Sequence, residues 1–301
     1  MPRSQLNSVA PTRVTRSFLE SWPIPAPSSD DDKDARGRVL VVGGQVSIPG
    51  AVVLAGIAAL RAGAGKLQIA TCRSIAPFIG IAVPEALSLG LDETDDGVIA
   101  SSATAELTEL IENTNALLLG PGTKGHDEEK RFITNILAMT TDAPVVLDAG
   151  ALYALADNPA LLRQCNGNVV ITPHAKEMAG LLGTDLREVR SDPATTALMA
   201  AQTMNAIVAL KGSETFIASP NGDLYQYDSG DVGLATSGSG DTLAGVVAGL
   251  LARGCTPLNA ALWSVFLHGS AGNRLAKRIG RVGYLARELL DEIPLVMRRA
   301  E

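Results

Sequence analysis

The chain has few aromatic residues and no apolar run long enough to cross a membrane. Aromatic residues make up 4% of its 301 residues, so alanine, valine, leucine and glycine must fill most of the core. Small residues of this kind suit close packing of helices on a parallel sheet. Apolar runs such as 51–60 and 243–252 fall short of the roughly 20 residues of a transmembrane helix. We therefore expect a globular protein without membrane association.

Cysteine is also scarce. Cys72, Cys165 and Cys255 lie far apart and show no metal-ligand spacing, which indicates free thiols in a reducing compartment. The amino terminus lacks the apolar segment of a secretory signal. Together these absences predict a cytoplasmic location.

No excess of positive charge is present. The chain carries 25 Lys and Arg against 32 Asp and Glu, a net charge of −7. This balance argues against broad binding to nucleic acid or anionic membranes. A local basic pocket for a phosphate remains compatible with it.

Two common nucleotide-binding motifs are absent or weak. Neither Gly65-Lys66 nor Lys124-Gly125 stands in the G-x-x-x-x-G-K-[ST] context of a Walker A loop. The segment 120–125 matches G-x-G-x-x-G, but it lies in mid-chain and Pro121 stiffens it, which disfavours a Rossmann dehydrogenase. A nucleotide phosphate has to rest on a different loop.

From residue 37 onward, short β-rich runs alternate with helical patterns rich in alanine and leucine. This alternation predicts an α/β fold with a central, mostly parallel sheet and helices on both faces. The predicted strands are 38–42, 67–70, 116–119, 145–147, 169–171 and 207–210, then a hairpin of 214–218 and 224–227. The predicted helices are 50–62, 103–112, 128–138, 150–156, 175–182, 193–204, 238–253, 257–277 and 284–293.

Residues 1–36 differ from the rest of the chain. They include the proline-rich stretch 22–27 and the acidic stretch 30–34. Such an extension is either an arm that packs on the body or a partly disordered segment. Residues 37–301 show no internal repeat and no linker, so we expect them to form a single domain.

Glycine-rich turns follow several predicted strands, at 43–44, 120–122, 148–150 and 211–212. In an open α/β sheet, ligands bind at the carboxyl ends of the strands. We therefore expect the functional site at that edge. Asp148 follows one of these strands, where it either faces the ligand or caps the next helix.

The loop that precedes the predicted helix 238–253 is the strongest candidate for chemistry. Gly238 and Gly240 permit tight turns and close approach of a ligand. The helix points free N–H groups and its positive dipole end at this loop, an arrangement that suits a phosphate. Asp241 could then act as a general base in phosphoryl transfer. The structural alternative is that Ser239 or Asp241 only caps the helix.

Two further segments allow a structural and a functional interpretation. His174 and Glu177 lie one turn apart, where they either form a capping arrangement or bind ligand, His174 donating to a phosphate or ribose and Glu177 holding water around Mg²⁺. Lys211–Thr215 is either an ordinary turn or a contact for nucleotide phosphates or adenosine. His126 and His268 have no partner visible in the sequence and are interpreted as structural or surface residues.

Taken in order, these motifs resemble the ribokinase-like superfamily and, within it, the ADP-dependent NAD(P)H-hydrate dehydratases. The likeness covers roughly residues 37–295. It rests on Gly43-Gly44, 49–51, 120–122, 147–149, 172–177, 211–215 and 238–241. The segment 172–177 discriminates best, because many sugar and vitamin kinases of the superfamily carry asparagine at the position of His174. The loops at Gln45, Ile48 and 123–125 depart from the family pattern.

The resemblance implies a role for each matched residue. Asp241 would be the catalytic base, and the residues in contact with the hydrated dinucleotide would be Ala51, Gly122, His174 and Asp241. The residues in contact with ADP would be Lys211, Gly212, Ser213, Glu214, Thr215 and Gly240. The anion hole would consist of Gly238, Ser239 and Gly240. Mg²⁺ would assist, with Glu177 as an indirect ligand through water.

The implied activity is a hydro-lyase reaction that repairs nicotinamide cofactors. Hydrated NADH or NADPH would be dehydrated to NADH or NADPH, with ADP converted to AMP and phosphate. Because 1–36 is too short for an epimerase domain, a separate NAD(P)H-hydrate epimerase would be the functional partner, and a homo-oligomer is expected. The alternatives are a small-molecule kinase of sugars or vitamins with the same fold, and a non-catalytic nucleotide-binding module.

Overall fold

The computed structural model describes residues 10–26, 28, 30, 32–140 and 142–298 of the chain. In these residues ten strands form one sheet in the order β1-β10-β9-β8-β7-β6-β5-β2-β3-β4. The strands are β1 (Thr12–Arg13), β2 (Arg38–Val42), β3 (Lys66–Cys72), β4 (Ala86–Leu91), β5 (Ala116–Leu119), β6 (Val145–Leu147), β7 (Val169–Ile171), β8 (Ile207–Leu210), β9 (Thr215–Ala218) and β10 (Leu224–Tyr227).

The helices of the described residues lie on both faces of this sheet. They are α1 (Arg16–Leu19), α2 (Gly50–Arg61), α3 (Ala76–Ala82), α4 (Thr108–Glu112), α5 (Asp127–Met139), α6 (Tyr153–Asp157), α7 (Ala175–Leu182), α8 (Leu186–Ser191), α9 (Pro193–Met204), α10 (Ser239–Ala252), α11 (Pro257–Arg278) and α12 (Ala286–Met297). Short 3₁₀ segments cover Ser101–Leu107, Ala149–Leu152, Pro159–Cys165 and Val232–Leu234.

The sheet is parallel from β2 to β8 and becomes antiparallel only at the β8–β9–β10 hairpins. The central strands are apolar and buried on both faces, as expected for strands covered by helices on each side. The predicted fold class, a mostly parallel α/β sheet, is confirmed. The antiparallel pairing of β9 with β10 also confirms the predicted hairpin of 214–218 and 224–227.

The sequence patterns miss some elements near the sheet edges. β4 was not predicted, and neither were the short helices α3 and α8. β4 is an edge strand in which Gly90 packs against Arg73, so a Cβ there would lie 3.0 Å from Arg73 Cα. Its leucines alternate with small residues, but it has no β-branched or aromatic residue, which weakens its strand character.

The scarcity of aromatic residues has a structural counterpart in the contact between α2 and α10. A Cβ on Gly245 would lie 2.1 Å from the Ala55 carbonyl oxygen, and one on Gly249 would lie 2.4 Å from that of Ala59. Only glycine permits this approach of two helix backbones. The contact fixes the start of α10 relative to the first turn of α2.

The described part of the amino-terminal segment lies on the body of the protein. β1 pairs with β10, and Leu19 is fully buried. The Trp263 side chain donates from Nε1 to the Trp22 carbonyl at 2.5 Å, and the Asn259 side-chain amide donates to the Pro23 carbonyl at 3.1 Å. Residues 1–9, 27, 29 and 31 of the predicted extension lie outside the described residues.

The three cysteines are buried, and the described helices are too short or too polar to cross a bilayer. Cys72, Cys165 and Cys255 are buried free thiols, and burial raises the pKa of Cys72 to about 12 and that of Cys255 to about 11. Within the described ranges, no helix combines the length and the apolar character that a bilayer crossing requires.

Candidate active site

The glycine-rich turns meet at the carboxyl edge of the sheet, as predicted. The Gly44 N–H donates to the Pro121 carbonyl at 2.8 Å, and the Lys211 N–H donates to the Pro173 carbonyl at 2.8 Å. A Cβ on Gly120 would lie 2.0 Å from the Asp148 carbonyl oxygen. The loops that follow β2, β5, β6, β7 and β8 therefore form one continuous surface.

The first turn of α10 is open. Its N-cap residue is Gly238, which has φ +87 and makes no side-chain capping bond. The interpretation of Ser239 or Asp241 as a helix cap is therefore wrong. The Ser239 N–H donates to the Thr236 carbonyl, whereas the Gly240 N–H has no hydrogen-bond acceptor in the part of the chain described. An anion at this turn would meet that N–H and the positive end of the helix dipole.

Gly238 holds the turn against α2. A Cβ there would lie 2.4 Å from Leu54 Cδ1, and the left-handed φ itself disfavours other residues. Gly240 has a different reason to be glycine, because a Cβ at this position would lie 3.3 Å from Lys211 Nζ. The lysine ammonium group thus lies against the same turn whose backbone N–H is open.

The Lys211 ammonium group is held in place by a buried carboxylate. Lys211 Nζ donates to Asp148 Oδ1 at 2.8 Å, and Thr172 Oγ1 donates to the same oxygen at 2.7 Å. Burial by itself would lower the pKa of Lys211, but the negative charges of Asp148, Glu177 and Asp241 outweigh it and raise the pKa. The lysine is therefore a permanent cation. Asp148 makes no side-chain capping bond to the 3₁₀ segment that follows it, and its buried carboxylate fixes this cation.

Asp241 is the carboxyl group with the most perturbed acidity at this edge. Burial, together with repulsion from Asp148, raises the pKa of Asp241 to about 7, although Lys211 opposes the shift. A carboxyl group with a pKa near neutrality accepts and releases a proton readily at physiological pH. Such perturbation is typical of catalytic acids and bases.

His174 and Glu177 form a capping box at the start of α7. The Glu177 N–H donates to His174 Nδ1 at 3.0 Å, and Glu177 Oε2 accepts from the His174 N–H at 2.8 Å. The structural interpretation is thus correct, yet the His174 side chain remains 51% exposed at the ligand edge. Because Nδ1 is the acceptor, a neutral ring carries its proton on Nε2, which becomes a donor. Capping and ligand binding are compatible in one residue.

A cavity of about 740 Å³ lies beside this turn. Of the residues predicted to bind nucleotide, it is lined by Lys211, Gly212, Ser213, Thr215 and Gly240. Glu214 lines a second cavity of about 600 Å³, and His174 and Lys211 line both cavities. The side chain of Glu214 accepts a hydrogen bond from Gln226 Nε2 at 3.0 Å.

Ala51 and Gly122 lie together, close to the helix that packs against the open turn. A Cβ on Gly122 would lie 3.0 Å from Ala51 Cβ, and Gly122 has φ +74. Ala51 belongs to the first turn of α2, three residues before the Leu54 side chain that contacts Gly238. The structure therefore brings the predicted dinucleotide-binding loops next to the predicted phosphate loop.

The two loops that depart from the family pattern are joined by one side chain. Glu129 is buried, and its Oε1 accepts from Gln45 Nε2 at 2.7 Å. Its Oε2 accepts from the Lys124 N–H at 3.2 Å and from the His126 N–H at 2.8 Å. The Gln45 side chain and the backbone of the loop 123–125 thus share one buried carboxylate. His126 is exposed at the start of α5, in agreement with its interpretation as a surface residue.

Sequence reasoning missed His268. The sequence shows no partner for this residue, whereas the structure pairs it with Ser239 and places it in the wall of the cavity beside the open turn. Its Nε2 lies 3.0 Å from Ser239 Oγ, and burial lowers the pKa of the ring to about 4. The two residues are 29 positions apart on different helices, so no local pattern could have paired them.

A metal ion at this site would have to be held mainly by the phosphates of a bound molecule rather than by protein side chains. Within the described ranges, no group of three or more His, Cys, Asp and Glu side chains is arranged to hold a metal ion. Mg²⁺ commonly keeps several waters and binds through one or two carboxylates together with substrate phosphates. The nearby carboxyl groups of Glu177 and Asp241 fit that pattern and do not fit a cage made of protein alone.

Comparison with known proteins identifies similar chains. A family model described as NAD(P)H-hydrate dehydratase matches residues 39–295. The ADP-dependent (S)-NAD(P)H-hydrate dehydratase of Xanthomonas campestris is 48% identical over 286 residues, which cover 95% of this chain and 96% of that protein. The bifunctional NAD(P)H-hydrate repair enzyme of Moorella thermoacetica is 37% identical over 278 residues, which cover 92% of this chain and 52% of that protein. The chain thus spans about half the length of the bifunctional relative.

A solved structure agrees with these similarities. The ADP/ATP-dependent NAD(P)H-hydrate dehydratase from Bacillus subtilis, co-crystallised with ATP and Mg²⁺, superposes with a TM-score of 0.82 at 30% identity. The superposition covers 98% of this chain and 100% of the Bacillus subtilis chain. Sequence and fold therefore point to the dehydratases rather than to the small-molecule kinases that the motifs left as the alternative.

Proposed function

Because the chain belongs to the NAD(P)H-hydrate dehydratase family, we propose that Asp241 is the residue that initiates its reaction. The activity is the ADP-dependent dehydration of (S)-NADH hydrate or (S)-NADPH hydrate, a hydro-lyase reaction that yields NADH or NADPH, AMP and phosphate. The observation that supports Asp241 is its pKa of about 7 beside an open helix start and a fixed lysine.

The chemistry requires a better leaving group on the nicotinamide ring. Asp241 accepts the proton of the ring hydroxyl while the hydroxyl oxygen attacks the terminal phosphorus of ADP. The new O–P bond forms as the bond between that phosphorus and the AMP oxygen breaks. The lone pair of the ring nitrogen then expels phosphate by breaking the C–O bond, which leaves an iminium ring. The adjacent ring carbon gives up a proton to the departing phosphate, and the C–H electron pair forms the double bond that restores the neutral dihydropyridine ring.

The open turn supplies electrostatic stabilisation where negative charge accumulates. The Gly240 N–H, the dipole of α10 and the Lys211 ammonium group converge on one side of Asp241. Preorganised donors of this kind commonly contribute about 10²–10³ in rate each. Asp148 contributes by holding Lys211 in place, so the cation does not have to reorganise during the transfer.

We assign ADP and the hydrated dinucleotide to adjoining parts of the site, with His174 at their boundary because it also lines the cavity given to ADP. ADP would occupy the cavity of about 740 Å³, whose size suits a nucleotide. Ribose or phosphate oxygens of the hydrated dinucleotide would accept from His174 Nε2, with the ring lying over Ala51 and Gly122. Glu177 would hold a water of Mg²⁺, which when bound neutralises phosphate charge.

The cellular setting is also part of the proposal. The proposed functional partner is an NAD(P)H-hydrate epimerase, which would supply the (S) form, a pairing supported by relatives that are bifunctional NAD(P)H-hydrate repair enzymes. A cytoplasmic location agrees with the free thiols. We further propose a homo-oligomeric assembly.

The test supplies hydrated NADH with ADP and Mg²⁺ and follows the return of reduced-cofactor absorbance. We expect one AMP and one phosphate for each NADH restored. A stable phosphorylated dinucleotide, or phosphorylation of a sugar or vitamin in place of NADH recovery, would contradict the proposal. Leaving out ADP provides the control, because the hydrate then has no phosphoryl donor.

A further inference from the structure

His268 and Ser239 make a buried contact that no step of the reaction above uses. His268 Nε2 lies 3.0 Å from Ser239 Oγ, and Ser239 is 5% exposed. Because burial lowers the pKa of His268 to about 4, the ring is neutral at physiological pH. The contact is therefore an ordinary hydrogen bond whose direction depends on the tautomer.

The direction of this hydrogen bond decides what Ser239 offers to a phosphate. The Ser239 N–H is already donated to the Thr236 carbonyl, so the hydroxyl is the group through which Ser239 can donate to an anion. If Nε2 accepted, the O–H would point at the imidazole and its oxygen lone pairs would face the phosphate. If Nε2–H donates, the O–H is free to point at a phosphate oxygen.

We propose that His268 is a positioning residue of the phosphate site. Its Nε2–H donates to Ser239 Oγ and turns the Ser239 O–H toward the phosphoryl group that ADP transfers. This inference rests on the proposed function, since it requires that phosphoryl group at the open turn. No proton moves along this chain, and each hydrogen bond polarises the next one.

The helix that carries His268 is suited to fix such a donor. α11 also contributes Val265 and Gly269 to the cavity wall. A Cβ on Gly269 would lie 2.2 Å from the ring of Tyr227, so α11 packs directly on β10. A donor held on a rigid element keeps its aim without the entropy cost of ordering it during catalysis.

The test compares Ser239→Ala, His268→Phe and the double variant by steady-state kinetics. We expect each single change to lower kcat by about 10- to 100-fold with the KM of the hydrate little changed. The double variant should be no slower than the worse single variant, because both changes remove the same donor. His268→Gln retains an N–H donor and should recover part of the loss.

Ser264→Ala is the matched control. Ser264 lies one turn before His268 on α11, is fully buried, and its hydroxyl makes no hydrogen bond in the described ranges. We expect unchanged kcat in this variant. Wild-type kcat in a folded His268→Phe protein, or losses that multiply in the double variant, would overturn the inference.

The tautomer itself can be read without turnover. In ¹⁵N NMR of the wild-type protein with Mg²⁺ and ADP but no hydrate, we expect the proton of His268 on Nε2. A proton on Nδ1 would overturn the inference even if the Phe variant failed to fold. If the wild-type protein restores no NADH from its hydrate, the proposed function fails, and that result is separate from this measurement.

Discussion

Two helices begin side by side at the carboxyl edge of the sheet, and their first turns are built in opposite ways. α7 closes its first turn with its own side chains, because His174 and Glu177 exchange hydrogen bonds with each other's backbone at 3.0 and 2.8 Å. α10 begins at Gly238 with no side-chain cap. The first N–H groups of any α-helix have no acceptor within the helix. In α7 its own side chains accept from them, whereas in α10 no side chain does.

The contrast assigns different tasks to the two turns. The closed turn of α7 fixes a tautomer, so it presents the Nε2–H of His174 as a directed side-chain donor. The open turn of α10 presents its backbone N–H groups and helix dipole. A site that binds two anionic ligands can thus separate them, one on a side chain and the other on a helix start.

The largest expected effect comes from removing the carboxylate of the open turn. Asp241→Asn keeps the shape of the side chain but removes the base, so we expect kcat to fall by about 10²–10⁴. ADP affinity, measured by calorimetry, should change little. Near-wild-type kcat in a folded variant would show that Asp241 is not the base.

The same variant should be more stable than the wild type at high pH. The pKa of Asp241 is about 7 in the folded protein against an ordinary value of 3.8, so the folded state retains a proton that the unfolded state has released. Wild-type stability is therefore lost as the pH rises through this interval. We expect Asp241→Asn to exceed the wild type by roughly 1–3 kcal/mol at pH 8 and to match it near pH 4. Equal stability at both pH values would argue against a buried, costly charge.

The next effect concerns the closed turn. His174→Asn keeps a good N-cap residue while it removes the imidazole donor, so stability should hold. If Nε2 binds the dinucleotide, the affinity of the hydrate should fall by about 10- to 100-fold while that of ADP stays. Calorimetry with each ligand on the same variant measures both. A fall in ADP affinity alone would move His174 to the nucleotide side.

A smaller effect is expected from pH. Because Asp241 must be ionised to act as a base, kcat/KM for the hydrate should fall about tenfold for each unit below its pKa of about 7. The pH profile is measured with short assays, since the product NADH decays in acid. His268 should not contribute to this limb, because its pKa of about 4 keeps it neutral throughout. A profile flat down to pH 5 would contradict the raised pKa of Asp241.

Local patterns predicted most of the scaffold and the parts of the site that lie within single loops. The strands 38–42, 116–119, 145–147, 169–171 and 207–210 were predicted at their observed bounds, because buried parallel strands form short apolar runs between glycine-rich turns. The loop at 238–241 could be identified because its glycines and carboxylate precede an apolar helix. Both features are encoded over a few consecutive residues.

Contacts between distant residues could not be predicted in this way. Asp148 and Lys211 are 63 positions apart, and Gln45 and Glu129 are 84 apart. The sequence left Asp148 as a ligand or a cap, whereas the fold makes it the partner of a buried cation. The register of neighbouring strands and the packing of helices create such pairs, and neither is written in a local pattern.

The smallest effect separates the two roles of Glu177. Glu177→Gln keeps a side chain that can close a capping box, whereas Glu177→Ala does not. Only the alanine variant should therefore lose stability, by about 1 kcal/mol in denaturant unfolding. Both variants remove a negative charge that contributes to the raised pKa of Asp241, so both pH profiles should move to lower pH by a few tenths of a unit. Equal stability losses in the two variants would mean that charge rather than capping holds this turn.

If the carboxylate of Glu177 also holds a water of Mg²⁺, both variants should need more Mg²⁺ for half-maximal rate. The open turn of α10 offers no such pair of substitutions, because no side chain closes it.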